Sequence, residues 1–325
     1  MSNRLFERVA LIGLGLEGSS LGHVMKREAM VGHIAGCART QATLDKAMEL
    51  GFVDSVHLDP AEAVVDADLV ILCTPVSTFG DLAARFGPAL KRDCIVTDVG
   101  SVKRAVIRDV GPHIPDGVHF VPGHPIAGTE HSGPESGFAE MFEHRYCILT
   151  PPPGTDRDAV EKVAELWRRA GSMVDIMDAN HHDRVLAITS HLPHLIAYTI
   201  VGTASDLENQ LRREDATNGD VVETREVIKY SAGGFRDFTR IAGSDPVMWR
   251  DVFLNNREAV LEMLGRFSED LTALQRAIRW GEGQTLEDWF RHTREIRRGV
   301  VEMGQAGRFI ATEAEDGESA DGDGD

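Results

Sequence analysis

The sequence predicts an α/β fold with a doubly wound, mainly parallel sheet in its first half and only helices in its second half. Short apolar runs alternate with helix-compatible segments up to about residue 178, which is typical of a parallel sheet covered by helices on both faces. Beyond that point apolar residues recur only at helical spacing. We therefore predict a first domain over residues 1–178, a helical domain over 179–310 and a disordered acidic tail over 311–325.

The first strand, predicted at residues 9–12, leads into a glycine turn that is typical of dinucleotide-binding proteins. The turn reads Gly13-Leu14-Gly15-Leu16-Glu17-Gly18, and a helix is predicted after it over 19–27. The first glycine permits a tight turn, the second lets the backbone approach a pyrophosphate, and the third allows the helix to pack closely on the strand. We predict cofactor contacts at Gly13, Leu14, Gly15, Leu16 and Gly18. A purely structural turn is the alternative.

The alternation of strands and helices continues to the end of the first half. We predict strands at 33–37, 69–74, 94–99, 146–150 and 173–177, and helices at 41–50, 77–90 and 157–170. Thr74, Pro75 and Asp98 fall at or just after the carboxyl ends of two of these strands. Because doubly wound sheets bind ligands at that edge, we predict that these three residues also contact the cofactor.

The residues after the second strand bear on which nicotinamide cofactor is used. An acidic side chain usually binds the ribose hydroxyls of NAD there, but the segment reads Gly36-Cys37-Ala38-Arg39-Thr40, without a carboxylate. The planar guanidinium of Arg39 suits the 2′-phosphate of NADP. We predict NAD(P) as the cofactor, with a slight preference for NADP. An arginine that only opens a solvated loop is the alternative.

Composition argues against several classes of function. The net charge of −18 argues against nucleic-acid binding, and seven of the negative charges lie in the tail. The four cysteines lack metal-type spacing and are expected to be reduced core residues of a cytoplasmic protein. We find no apolar stretch of membrane-spanning length and no signal-peptide core, so we expect no membrane partner.

Two residues suggest chemistry on a small organic acid. We expect His124 to lie in a loop framed by glycine and proline, Gly123-His124-Pro125-Ile126-Ala127-Gly128-Thr129-Glu130. Arg240 lies between apolar neighbours, where a charge without an anionic partner would be costly. Arg240 belongs to the helical half, whose helical periodicity covers residues 182–203, 222–231, 248–266, 268–280 and 285–303. A histidine that accepts a proton and an arginine that binds a carboxylate together predict an enzyme.

Five motifs follow one another along the chain. They are the glycine turn, Asp98-Val99-Gly100-Ser101-Val102-Lys103, residues 123–130, Ser190-His191-Leu192-Pro193-His194, and residues 233–242 leading into Ser244-Asp245-Pro246 and Trp249. This ordered set, over roughly residues 8–305, closely resembles the prephenate and arogenate dehydrogenases of tyrosine biosynthesis, also called cyclohexadienyl dehydrogenases. The resemblance implies a Rossmann-type first domain, a helical dimerisation domain and a homodimer. It also implies oxidative decarboxylation with hydride transfer to NAD(P), giving 4-hydroxyphenylpyruvate from prephenate or tyrosine from arogenate.

The resemblance implies roles for individual residues. His124 matches the catalytic histidine that accepts the proton of the substrate 4-hydroxyl, and Ser101 matches the serine that orients it. Arg240 matches the arginine that binds a substrate carboxylate. The other substrate-binding residues that it implies are Thr129, Glu130, His191, His194, Asp237 and Trp249.

Several of these assignments have alternatives. His194 is preferred to His191 as the substrate contact, and the other of the two is expected to be a packed helix residue. For Glu130 and Asp237 the alternative is a structural salt bridge, and for Trp249 it is core packing. No metal site is predicted, and the neighbouring trio His181-His182-Asp183 is given no catalytic role.

Two other functions remain open at this point. A hydroxyacid dehydrogenase of the hydroxyisobutyrate type would use a catalytic lysine, for which Lys103 and Lys229 are the candidates near motifs. A non-catalytic dinucleotide-binding sensor would not need His124 and Arg240 together. The sequence contains no segment that resembles a chorismate mutase or a regulatory domain, so feedback control by tyrosine through such a domain is not expected.

Overall fold

The computed structural model describes residues 4–129, 131–218 and 229–300. The chain divides by its contacts into two compact units, one ending at Met263 and the other beginning at Leu264. The first unit therefore contains the sheet and many of the helices after residue 178. The domain boundary predicted at residue 178 stays a prediction.

A six-stranded parallel sheet forms the first half of the chain, as predicted. Its strands are β1 (Phe6–Ile12), β2 (Val31–Cys37), β3 (Ser55–His57), β4 (Leu69–Leu72), β5 (Ile95–Asp98) and β6 (His119–Phe120). Their order is β3-β2-β1-β4-β5-β6, and every neighbouring pair is parallel. All four residues of β4 are apolar and buried, as expected of a strand that is covered on both faces.

Helices alternate with these strands. They are α1 (Leu16–Arg27), α2 (Gln41–Glu49), α3 (Pro60–Ala63), α4 (Phe79–Phe86), α5 (Arg104–Val110) and α6 (Arg157–Arg169). Positive φ angles at Gly51 (+73°) and Gly171 (+95°) follow the ends of α2 and α6, where an L-residue would be strained. The helix predicted over 77–90 is shorter than expected, because Pro88 cannot continue its hydrogen bonds and 3₁₀ turns flank α4.

The remaining strands form a second sheet, which corrects the prediction for residues 146–150 and 173–177. The strands β7 (Gly123–Pro125), β8 (Tyr146–Leu149) and β9 (Met173–Ile176) pair in the order β7-β8-β9, with β7 antiparallel to β8. The histidine segment that was expected to be a loop is therefore a short strand. Its glycine and proline are poor strand formers, so only the pairing with β8 reveals it.

The second half is helical, as predicted. Its helices are α7 (Ala179–Leu186), α8 (Leu192–Asn218), α9 (Gly233–Thr239), α10 (Pro246–Asn255), α11 (Arg257–Trp280) and α12 (Gly283–Val300), and a π-helical turn at Ala187–His191 joins the first two. The helix predicted over 248–266 is interrupted at Asn256, whose side chain bonds outside its own helix. Most of the helix predicted over 222–231, and the tail over 311–325, lie outside the described residues.

One helical run is longer and more apolar than the sequence-based expectation allowed. Residues Ala179–Leu211 meet the length and composition of a membrane-spanning helix, with a mean hydropathy of 1.4 in the best window. This corrects the statement that no such stretch is present. A single helix of this kind is weak evidence for a membrane, because core helices of globular proteins meet the same criteria. The run also begins with buried polar side chains, His182 and Asp183.

Candidate active site

The glycine turn between β1 and α1 has the geometry needed to hold a dinucleotide pyrophosphate. Gly13 has a φ of +106°, and a Cβ atom there would lie 2.7 Å from the Cys73 carbonyl. A Cβ atom at Gly18 would lie 2.0 Å from the Gly13 oxygen, whereas one at Gly15 would meet nothing within 4 Å. Helix α1 starts without a side-chain cap on Gly15, which leaves N–H groups of its first turn available to an anion.

The other residues predicted to contact the cofactor lie around this turn. Arg39 is exposed after β2, and it has no hydrogen bond or ion pair with any residue that the structure describes. The Thr74 hydroxyl shares a hydrogen bond of 2.8 Å with Thr78, and Pro75 is exposed. Leu14 is buried in the core, and Leu16 is only partly exposed. Arg39 is thus the predicted contact most accessible to a charged ligand.

Asp98 and Lys103 form a buried ion pair beside the site. The Lys103 ammonium donates to Asp98 and to the Gly123 carbonyl, and Asp98 accepts from the N–H groups of Gly100 at 2.8 Å and Gly123 at 3.2 Å. Both side chains have no exposure. Burial raises the pKa of the Asp98 carboxyl and lowers that of Lys103, and their attraction opposes both shifts. The pair bonds to Gly123 in β7 from inside the protein. Because its side chain is fully buried, Asp98 offers no exposed side-chain atom to a cofactor.

His124 is held by a chain of buried side chains. Its Nδ1 lies 2.8 Å from Nε2 of His182, and Nδ1 of His182 lies 2.8 Å from the Asp183 carboxylate. The Asp183 carboxylate also accepts from the N–H groups of Lys103 and Arg104, at 2.8 and 3.0 Å, and so caps α5. These bonds tie α7, the start of α5 and β7 together around one histidine.

The chain of hydrogen bonds sets the tautomer of His124. Asp183 is an acceptor, so His182 donates from Nδ1 and accepts at Nε2 from the Nδ1–H of His124. Nε2 of His124 is then unprotonated and can accept a proton. Burial, followed by the nearby His182, Lys103 and His191, holds the pKa of His124 well below its usual value. The imidazole is therefore neutral at neutral pH and available as a base.

The partners of His124 differ from those that were predicted. Ser101 is only partly buried and forms no hydrogen bond with His124. His182 and Asp183, to which no catalytic role was assigned, lie directly behind the histidine. Burial raises the pKa of Asp183, but the bonds from His182 and two backbone N–H groups outweigh it and keep the pKa below its usual value. The sequence carries no signal for this contact, because 58 residues separate the two histidines.

A second cluster of aromatic rings surrounds Trp249 in α10. The ring of His194 stacks on Trp249 with centroids 3.6 Å apart, and the ring of His191 meets its edge at 6.1 Å. Nδ1 of His191 accepts from the Asn256 amide at 3.1 Å, which puts the proton of His191 on Nε2. Burial lowers the pKa of His191 to about 4, so this ring is neutral.

This cluster contains one buried donor that has no partner among the described residues and a second that faces a backbone acceptor. The first is the indole Nε1 of Trp249. The second is Nε2 of His191, which lies near the Ser101 backbone. A buried N–H group without an acceptor costs free energy, on the order of 1–3 kcal/mol. The unpaired indole N–H of Trp249 is therefore a candidate donor to an acceptor on a ligand, such as a carboxylate.

The remaining predicted substrate residues lie at the surface. Arg240 is exposed at the end of α9, and its charge contributes to a lowered pKa of His194, of which burial is the main cause. Arg240 therefore lies near the Trp249 cluster. Asp237 and Thr129 are exposed, and the Thr129 hydroxyl accepts from the His131 N–H at 3.3 Å. Glu130 lies outside the described residues.

Comparison with protein-family models agrees with this arrangement. Residues 21–176 match the model described as "Prephenate dehydrogenase, nucleotide-binding domain", and residues 178–292 match "Prephenate dehydrogenase, dimerization domain". Together the two models cover most of the chain. The chain belongs to the prephenate dehydrogenase family.

Relatives of this prephenate dehydrogenase family member support the same conclusion. A cyclohexadienyl dehydrogenase from Zymomonas mobilis is 40% identical over 90% of this chain and 96% of its own length. A prephenate dehydrogenase from Bacillus subtilis is 30% identical over 92% of this chain and 77% of its own. Among solved structures, the Aquifex aeolicus prephenate dehydrogenase in complex with hydroxyphenyl propionate and NAD+ is 33% identical, with a TM-score of 0.81, and covers 90% of this chain and 98% of its own.

Proposed function

We propose that this chain catalyses the oxidative decarboxylation of prephenate, arogenate or both, with a nicotinamide dinucleotide as hydride acceptor. The observation that carries the proposal is the neutral His124, whose Nδ1 is occupied by His182 and whose Nε2 is left as a proton acceptor. The chain belongs to the family whose named members are prephenate and cyclohexadienyl dehydrogenases. The glycine turn supplies the cofactor site.

The reaction requires one base and one carboxylate-binding pocket. The bound nicotinamide ring supplies the acceptor for the hydride of the ring carbon that carries the 4-hydroxyl. His124 takes the hydroxyl proton at Nε2 as that carbon becomes a ketone. The bond to the ring carboxylate breaks, CO2 leaves, and its electron pair makes the ring aromatic. The proton then returns from His124 to the phenolic oxygen, so no net proton is released.

The Trp249 cluster is proposed to orient the substrate. The unpaired N–H group of Trp249 suits a carboxylate, and the nearby Arg240 adds a positive charge. Lys103, one of the two lysines that a hydroxyisobutyrate-type enzyme could use, is instead buried and paired with Asp98. This arrangement favours the dehydrogenase of a cyclic diacid over that alternative.

His182 and Asp183 are proposed as positioning residues for His124. In Asp183→Asn the amide can donate to His182, which would reverse the tautomers of both histidines and protonate Nε2 of His124. We expect kcat to fall about 10⁴-fold, as in a catalytic triad whose histidine takes the wrong tautomer, with little change in KM or in the dissociation constant of the cofactor. Stopped-flow and steady-state assays measure these quantities.

A matched control for this variant is Asp178→Asn. Asp178 caps α7 through the N–H groups of Asn180 and His181 and does not contact a histidine ring. Its kcat should stay within about twofold of wild type, the range of a surface substitution of about 0.5 kcal/mol or less. Equal losses of kcat in the two variants would show that Asp183 acts only as a helix cap.

The cofactor is proposed to be NADP in preference to NAD, because Arg39 is exposed where a 2′-phosphate would lie. We expect Arg39→Ala to raise the KM for NADP about 10–100-fold, the loss of one charged hydrogen bond, and to leave the KM for NAD nearly unchanged. The control is Arg108→Ala, since Arg108 is exposed and paired with Asp109. Equal effects of Arg39→Ala on both cofactors would contradict the preference.

One assay tests the proposed function as a whole. Prephenate and arogenate are each combined with NAD and NADP, and the absorbance of the reduced cofactor is followed together with CO2 release. The expected result is stoichiometric reduced cofactor, CO2 and aromatic product for at least one combination. Hydride transfer without CO2 would point to an ordinary hydroxyacid dehydrogenase. No turnover with any combination would contradict the proposal.

The chain is also proposed to form a homodimer through its helical half. The family model that matches residues 178–292 is a dimerization domain. Helix α8 exposes large apolar side chains, among them Ile200, Val201, Leu207 and Leu211. In the unit after residue 264, an apolar groove lies between α11 and α12 and is lined by Leu271, Ile278 and Phe290. Exposed apolar surface of this extent is typical of a subunit interface.

A further inference from the structure

A carboxylic acid without a partner lies in the glycine turn. Glu17 is the second residue of α1, and its Oε2 is shut off from solvent without a hydrogen bond to any described residue. Burial raises the pKa of this carboxyl to about 8. Glu17 as a whole is only partly buried, but a buried carboxyl oxygen that no donor satisfies is unfavourable, and an apolar side chain would avoid its cost.

The Glu17 carboxyl lies near the end of β4 and near β8, the strand that pairs with the strand of His124. The negative charge of Glu17 contributes to the raised pKa of two thiols, Cys73 just after β4 and Cys147 in β8. Cys147 pairs with Pro125 in the neighbouring strand β7, one residue from His124. The other charged groups that act on these thiols are Asp98 and Lys103, which bond to each other. Lys103 is therefore already paired and does not neutralise Glu17.

The reaction places the nicotinamide ring in the same region. The hydride and the hydroxyl proton leave the same carbon and its oxygen, so the ring must lie close to His124, which takes the proton. The pyrophosphate is expected at the glycine turn, whose geometry suits it. The ring is thus expected between the turn and β7. Glu17 lies in that turn and near β8, the strand paired with β7. The oxidised ring carries a positive charge, and the reduced ring carries none.

We propose that the Glu17 carboxylate faces the nicotinamide ring and binds the oxidised cofactor more tightly than the reduced one. The unpartnered oxygen then gains a cationic neighbour when the oxidised cofactor binds, and loses it after hydride transfer. Glu17 would thereby favour binding of the substrate form of the cofactor and release of its product form. The inference rests on the cofactor in the proposed function and not on its substrate.

The proposal predicts a pH dependence of binding. A positive ring lowers the pKa of Glu17 from about 8 in the free protein, so binding of the oxidised cofactor releases a proton. Affinity for the oxidised form should rise with pH up to about 8 and level off above it. A pKa lowered by one unit corresponds to about a tenfold rise. Affinity for the reduced form should show no such rise.

The test measures binding without any substrate. Dissociation constants of oxidised and reduced NAD and NADP are measured between about pH 6 and 9, by calorimetry and by the fluorescence of the reduced form. Glu17→Gln keeps the shape and removes the charge. We expect this variant to bind the oxidised cofactor about tenfold more weakly at pH 8. The dissociation constant of the reduced cofactor should stay within about twofold of wild type, and the pH dependence of binding should disappear. Asp81→Asn, an exposed carboxylate in α4, is the control for net charge and should change neither.

A second measurement uses the wild-type protein alone. Calorimetry in buffers of different ionisation enthalpy should show proton release near pH 7 when the oxidised cofactor binds and none when the reduced one binds. The proposal would be overturned if Glu17→Gln weakened binding of the oxidised and reduced cofactors equally, or if both cofactors released protons equally on binding. Neither result bears on whether prephenate or arogenate is turned over, so failure here is distinct from failure of the proposed function.

Discussion

Replacing His124 by asparagine is expected to lower kcat about 10²–10⁴-fold, the usual contribution of a general base. The asparagine amide can still donate to Nε2 of His182, so the bond behind the site is kept, whereas the acceptor that faces the substrate is lost. The dissociation constants of the cofactor should stay near those of wild type, because the glycine turn is unchanged. Steady-state kinetics and calorimetry measure the two effects separately.

The control for this substitution is His113→Asn, an exposed histidine outside the site, which should leave kcat unchanged. The pH profile gives an independent check. Activity needs neutral His124, and the pKa of this group is held well below 6.5, so kcat/KM should fall only as the pH drops through that lowered pKa. A kcat for His124→Asn equal to that of wild type would remove the assignment of this residue as the base.

Replacing Lys103 by methionine is expected to destabilise the protein by about 3–5 kcal/mol. The change leaves the Asp98 charge buried without its cation and removes the donor to the Gly123 carbonyl. The two side chains have no exposure, so water cannot take the place of the lost ammonium. Urea unfolding followed by far-UV circular dichroism measures the free energy of unfolding.

Two further variants make this prediction specific. Lys26→Met removes a pair with Asp54 that is about one-third exposed, and it should cost about 0–1 kcal/mol. The double variant Asp98→Asn with Lys103→Met should regain part of the stability that Lys103→Met loses, because no unpaired charge then remains buried. A double variant less stable than Lys103→Met would show that Asp98 contributes through its backbone bonds alone.

The order of elements in the first half was predictable because local patterns specify it. A short apolar run such as β4, followed by the turn signal at Thr74 and Pro75, is typical of a strand covered on both faces. The glycine turn was equally clear, since Gly13 and Gly18 occupy positions where a Cβ atom would collide with backbone. The second sheet was not predictable. Short runs such as β8 show that a strand exists but not which strand it pairs with.

In the candidate site, too, local patterns specified some features and tertiary contacts decided the others. The sequence by itself determined that the chain carries a dinucleotide turn, His124, Arg240 and the motif around His191 and His194, because each is written in consecutive residues. Only the tertiary structure decided that His124 is hydrogen-bonded to His182 and, through it, to Asp183, and that Lys103 forms a buried ion pair with Asp98. Hydrogen bonds and ion pairs between distant segments depend on how helices pack on the sheet, and no local pattern records that packing.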